Sequence, residues 1–259
     1  MLINNHFLMK NIKNDLNKQL LKQHNAADLK NIEQLKICQE IARNFADLEN
    51  GIAVLNDLYN NKSYVYSGKI ADELNIFQKN QMQEIESIWE EELFDQLNNE
   101  DVLQKYLLEL QFFQFIKTIP VDERKDFCVI SRLRIKDKNA TKSFLHKMFY
   151  FSNENEDVEL ALCLYNFDFS QAFHYEGKII NTANGKIVQQ NEAGNFSFLS
   201  SREIEILKML QEGKQSKEIA SLLFISINTV SRHRQNILEK MKVNNTAEAC
   251  TLAAKLKWI

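Results

Sequence analysis

Polar side chains recur at Asn228, Arg232, Gln235 and Glu239, three or four residues apart. At ~100° per residue they share one side of a helix. Val230, Ile237 and Met241 fall within about 40° of each other on the opposite side, which faces a core. The chemistry open to this surface is recognition by hydrogen bonds. A guanidinium such as Arg232 offers two parallel donors that match guanine O6 and N7. The amide of Gln235 matches adenine N6 and N7, and Asn228 faces the same way. One flank carries Thr229, His233, Asn236 and Lys240, types suited to phosphate oxygens. A merely solvated polar face is the plainer alternative. Arg234 falls nearer the core side, with a stem long enough to lie across it.

The surrounding residues supply what such a helix needs. Ser200 followed by Glu203 is a capping box, so a helix starts there. Ile204, Leu207 and Leu210 follow at helical spacing, and Gly213 suits the residue just past a helix end. A second helix starts at Gln215-Ser216 and places Ile219, Leu222 and Leu223 on one side. Ser226 caps a third. The pattern is helix, tight turn, helix.

Residues 199–249 resemble the LuxR-type helix-turn-helix domain, the GerE family. Leu199, Ser200, Arg202 and Glu203 match its opening motif, and Lys217-Glu218-Ile219-Ala220 its second helix. Ile225, Ser226, Thr229, Val230 and His233 match its recognition-helix motif. Lys240, Met241, Val243, Glu248 and Ala249 match its closing motif. Three positions depart from the pattern: Gln215 replaces the usual Ser, Ser231 the usual Lys and Thr246 the usual Arg. The last two remove cationic contacts. The resemblance implies that Ser231, Arg232 and Gln235 occupy base-reading positions. Thr229, His233 and Lys240 would hold phosphates, with Lys217 a weaker candidate; for His233 a helix-packing role is an equal alternative. It also implies a last helix over about 246–257, with Ala247, Cys250, Ala254 and Leu256, that forms a dimer on DNA. Its plainer role is a lid on the domain core.

Charge is unevenly spread. The whole chain carries −3, yet residues 199–259 hold 10 Lys and Arg against 6 Asp and Glu, or +4. The remainder holds 22 against 29, or −7. A basic module on an acidic partner fits a chain in which one part meets DNA. Cys38, Cys128, Cys163 and Cys250 form no C-x-x-C, which argues against zinc or a disulfide framework and for free thiols in a reducing compartment; a redox-sensing role for one of them is a minor alternative. No run reaches the ~18 apolar residues of a membrane span, and no signal-peptide pattern opens the chain, so a cytoplasmic location is expected. There is no phosphate-cradling Gly loop, no G-x-S-x-G and no metal cluster, so an enzyme is not expected. Residues 1–50 offer no acidic pair of the kind a phosphoacceptor domain needs, and no acyl-homoserine-lactone pattern is present.

Before the linker the chain reads as helices over 9–23 and 27–49, the second with a stripe of Ile32, Leu35, Cys38, Ile41, Phe45 and Leu48. That stripe packs on its own domain or pairs with its own copy. Two short strands, 52–55 and 63–66, flank Asn60-Asn61-Lys62. Helices are expected over 69–76, 79–97 and 100–118, the last stopped by Pro120. Strands at 127–135, 142–151 and 157–167 form an antiparallel meander, with turns at Asp137-Lys138-Asn139 and Ser152-Asn153-Glu154-Asn155. A hairpin over 176–189 turns at Asn184-Gly185. This order resembles a PAS sensor domain over about 50–168. The resemblance implies a small molecule held between sheet and helices, or dimerisation alone; no particular cofactor is indicated. Cys128 lacks the neighbours of the light-sensing flavin motif. His146 and His174 fit surface or hydrogen-bonded roles better than haem ligation.

The fold class expected is α+β: N-terminal helices (1–49), a PAS-like antiparallel sheet with helices (50–189), a linker (190–197) and an all-α helix-turn-helix domain of four helices (198–259). The function expected is that of a bacterial, sequence-specific DNA-binding transcriptional regulator whose N-terminal part senses a signal or mediates dimerisation. Its partners would be double-stranded DNA, a second copy of the chain and RNA polymerase. The alternative is a protein-interaction module with residual or no DNA binding.

Overall fold

The computed structural model describes residues 5–21, 29–77, 82–136, 142–169, 177–188, 199–241, 243–255 and 259. The chain divides into two compact units, Asn14–Val188 and Gln189–Ile259 together with Met1–Lys13.

The larger unit is α+β. It begins within α1 (Asn5–Leu21), at Asn14, and continues through α2 (Leu29–Glu49), β1 (Ile52–Asp57), β2 (Lys62–Ser67), α3 (Lys69–Leu74), β3 (Gln83–Ile85), α4 (Glu91–Phe94) and α5 (Asn99–Ile116). A 3-10 turn, Val121–Asp126, leads into β4 (Phe127–Arg134), β5 (Ser143–Ser152), β6 (Val158–Phe167) and β7 (Lys178–Asn181). The strands form one seven-stranded sheet in the order β3-β2-β1-β6-β5-β4-β7. Every pairing in it is antiparallel.

Alternation along the strands gives the sheet two buried faces. Ala53, Leu55, Tyr66, Leu160 and Leu162 pack with Cys38, Ala42 and Ala46 of α2. Small side chains on α2 let the helix lie close to the strands. Gly68 serves the same approach: a Cβ there would stand 2.5 Å from the Ala46 carbonyl oxygen. The other face carries Val54, Val65, Val129, Phe144, Met148 and Cys163, all buried. Rings from α5 meet it, with Phe112 stacked on Tyr150 at a centroid distance of 5.0 Å. The amino end of α5 is capped by Asn98, whose side chain accepts from the Glu100 N–H.

The expected strands at 52–55, 63–66, 127–135, 142–151 and 157–167 are present, with ends shifted by a few residues. The expected helix over 79–97 is not. Residues 83–85 instead extend the sheet beside β2, and only Glu91–Phe94 is helical. The backbone between finds other partners: Ser63 Oγ donates to the Ser87 carbonyl at 2.6 Å, and the Trp89 N–H donates to Ser87 Oγ at 3.0 Å. Of the apolar residues spaced as a helical stripe, Ile88 and Trp89 are buried beside this edge, Ile85 is half-buried and Met82 is exposed. The α2 stripe also splits. Cys38 is buried, whereas Ile32, Ile41 and Leu48 are exposed. The hairpin after β7 is closed by a bridge between Ile180 and Ile187. The Asp137-Lys138-Asn139 turn, His174, the linker at 190–197 and Leu256 lie outside the described residues. Among the described residues no helix is long and apolar enough to cross a membrane.

The smaller unit is helical over its described residues: the start of α1 as far as Lys13, then α6 (Ser201–Gln211), α7 (Ser216–Leu222), α8 (Ile227–Met241) and α9 (Thr246–Lys255). Its core gathers Leu199, Ile206, Leu207, Ile219, Val230, Ile237, Met241, Ala249 and Leu252.

Candidate nucleic-acid interface

Caps set where each helix begins. Ser200 accepts from the Glu203 N–H while the Glu203 carboxylate accepts from the Ser200 N–H at 2.7 Å. At α7 the Glu218 carboxylate accepts from the Gln215 N–H at 2.6 Å. The substitution of Gln for Ser at 215 therefore keeps the backward half of the cap. Ser226 Oγ accepts from the Thr229 N–H at 3.0 Å and opens α8. Between α6 and α7 the chain turns through Gly213, whose φ of +82° suits a residue without a Cβ.

Three cations lock the helices together. Arg202 donates to the Leu223 carbonyl at 2.8 Å, joining the start of α6 to the end of α7. Arg234 donates to Ser216 Oγ at 2.7 Å and to Thr246 Oγ1 at 2.9 Å, so it holds α7, α8 and α9 at once. Lys240 donates to Glu203 Oε2 at 2.7 Å, tying α8 to the cap of α6. Burial alone would raise the Glu203 pKa. The bonds from Lys240 and Ser200 outweigh it and hold the carboxyl below its ordinary value.

What α8 leaves outside is the surface of interest. Val230, Ile237 and Met241 are buried. Asn228, Ser231, Arg232 and Gln235 are exposed. Among the described residues the side chains of Asn228, Arg232 and Gln235 are committed to no hydrogen bond or ion pair. From Asn228 to Gln235 is about 10 Å along the axis, or roughly three base-pair steps at ~3.4 Å each. Donors and acceptors for a short run of base edges therefore stand together on a fixed helix.

The flank is less free than the sequence implied. The Thr229 hydroxyl lies 2.9 Å from Ser226 Oγ, within the cap. Lys240 holds Glu203. His233 is half-buried, and its Nδ1 is enclosed without a hydrogen-bond partner. Lys217 is exposed on α7. Sequence reasoning missed the clamp made by Arg234. A signal existed: an arginine on the core side of an amphipathic helix must carry its charge to a partner. It also missed the apolar cluster at the α7–α8 turn, where Phe224 is 96% exposed beside Leu222 and Ile227. Phe224 has φ +53°, a conformation rare for a bulky residue.

Residues 197–253 match the family described as bacterial regulatory proteins, luxR family. The C-terminal segment is a LuxR-family helix-turn-helix domain. Relatives carry the same segment. The oxygen regulatory protein NreC of Staphylococcus carnosus (strain TM300) is 40% identical over 62 residues, 24% of this chain and 29% of that protein. NreC of Staphylococcus aureus (strain MRSA252) is 39% identical over 67 residues, 26% of this chain and 31% of that one. The match thus spans less than a third of these relatives' length. Among solved structures, the VqmA dimer of Vibrio cholerae is 15% identical, with 88% of each chain covered and a TM-score of 0.29. Escherichia coli SdiA is 15% identical, with 96% and 97% covered and a TM-score of 0.24. TM-scores this low establish no shared arrangement of the whole chain.

Proposed function

We propose that this protein is a DNA-binding transcriptional regulator in which α8 enters the major groove and the N-terminal α+β unit receives the signal. The observation that carries the reading is the exposed, uncommitted row of Asn228, Arg232 and Gln235 on a helix whose other side is fully buried. Arg232 reads a guanine, and Gln235 and Asn228 lie on the same row for neighbouring bases. Ser231 lies beside them and offers a short hydroxyl. Lys217, Thr229, His233 and Lys240 line the phosphate-facing flank. Lys217 is the cation there without a protein partner among the described residues, so it serves best as a phosphate contact.

The protein acts as a homodimer on an inverted repeat, in the bacterial cytoplasm, with RNA polymerase as the downstream partner, and it is not an enzyme. Domain limits fall at 1–49, 50–189, 190–197 and 198–259. The sensor unit is PAS-like in its element order, with helices on both faces of an antiparallel sheet. NreC is named an oxygen regulatory protein, but the shared segment is the helix-turn-helix, so no particular signal is carried over.

The test is Arg232→Ala, compared with wild type by genome-wide occupancy and by binding to DNA selected in vitro. Loss of one bidentate base contact is worth about 1–3 kcal/mol, a weakening of roughly 5- to 150-fold. Occupancy unchanged by the substitution would favour a protein-interaction module and end the groove-reading assignment.

A further inference from the structure

The turn from α7 into α8 sets apolar side chains in solvent. Leu222 is 52% exposed, Phe224 96% and Ile227 48%. Single exposed apolar residues are ordinary, but three within six positions mark a surface that meets something. Phe224 adds an unusual backbone to its exposure. Its φ of +53° lies in the left-handed region, where a residue without a Cβ is favoured. The chain on either side is tied down. The Leu223 carbonyl accepts from Arg202 at 2.8 Å, and the Ile225 N–H donates to the Ala220 carbonyl at 3.0 Å. The ring therefore stands out on a fixed turn. Glycine would suit this turn better, so neither local conformation nor burial accounts for a phenylalanine here.

Ile227 is the first residue of α8. At ~100° per residue it lies about 40° from Ser231 and 80° from Gln235, at the margin of the exposed polar row. In a helix-turn-helix the amino-terminal residues of the second helix reach the base edges. An aliphatic side chain has no donor or acceptor, so it can tell bases apart only by an apolar group. In the major groove one base carries such a group, the 5-methyl of thymine. Charge points to the same partner. Residues 199–259 carry +4, and Lys217 is exposed on α7. A basic unit draws its apolar turn toward a polyanion.

We infer that Ile227 and Phe224 form an apolar contact for the 5-methyl group of a thymine at the edge of each half-site. This rests on the proposed entry of α8 into the major groove, and it adds a base that no hydrogen bond from Asn228, Arg232 or Gln235 specifies. Ile227 meets the methyl group from the helix, and the Phe224 ring shields the contact from water at the turn. The contact is favourable because both partners leave water together, and it carries sequence information because cytosine, guanine and adenine offer no such group.

Deoxyuridine in place of thymidine removes that methyl group and nothing else. On DNA selected by the full chain, thymines are replaced one position per half-site at a time. At one position wild type should bind roughly fourfold more weakly per half-site, the loss expected when one methyl group is no longer buried. Ile227→Ala and Phe224→Gly should bind the thymine form more weakly and lose nothing further with uracil at that position. Both change exposed side chains, and Phe224→Gly relieves the left-handed backbone, so both should melt no lower than wild type. The inference is overturned if wild type is indifferent to uracil at every thymine, a result that needs no variant. It is overturned equally if either variant keeps the wild-type penalty at the sensitive position; variants that match wild type on both DNA forms assign the turn to a protein partner instead. Wild type that selects a site but ignores uracil removes the apolar contact alone, whereas wild type that selects no sequence removes the groove reading beneath it.

Discussion

Glu203 shows how one side chain in the helical unit serves two ends. It completes the cap of α6 and anchors Lys240 of α8, and it is buried while doing so. Glu203→Gln keeps an acceptor for the Ser200 N–H but removes the charge that Lys240 pairs with, and should cost up to about 1 kcal/mol, the order of a part-exposed ion pair, read as a lower urea midpoint for the helical unit. Because the folded carboxyl titrates below its ordinary value, its contribution is complete above the unfolded pKa of about 4.3. It is lost as pH falls through the depressed folded value. Wild type should therefore lose stability between neutral and acid pH more steeply than Glu203→Gln; parallel profiles would show that the ion pair contributes nothing. On the DNA side, Lys217→Ala should weaken binding evenly across sequences and reduce the salt slope by about 1. A changed sequence preference would instead mark Lys217 as a base reader.

At the scale of elements, periodicity was informative where an element has one buried side. Val230, Ile237 and Met241 named the core side of α8 without any structure, and the capping box named its neighbour's start. The α2 stripe and the 79–97 segment were not legible in the same way. In α2 the residues buried against the sheet are small, Cys38, Ala42 and Ala46, with Leu35 and Phe45 of the stripe packed at their margin, while Ile32, Ile41 and Leu48 stay outside. Hydrophobic spacing alone cannot tell which half of such a stripe is covered. In 83–85 a short edge strand carries too few residues for alternation to show. The close helix–strand approach is itself testable: Gly68→Ala should cost about 1–3 kcal/mol, as overpacking does, seen as reduced urea resistance of the α+β unit. An unchanged midpoint would mean the α2 end yields freely.

At the scale of the whole molecule, charge and burial divide the labour. The helical segment carries +4 and the remainder −7, so only the former is drawn to a polyanion. The proposed homodimer would double this modest charge on DNA. Footprints should then show two inverted half-sites with centres about 10 base pairs apart. A single half-site protected at one chain per duplex would rule the dimer out.

The proposed regulator stands or falls on Arg232 reading a base edge in the major groove. Methylation interference at guanine N7 on DNA selected by the full chain tests it most directly. N7 methylation at one guanine per half-site should block wild-type binding, and Arg232→Ala, binding more weakly, should no longer discriminate at that guanine. Wild-type binding indifferent to N7 methylation throughout the site would contradict it.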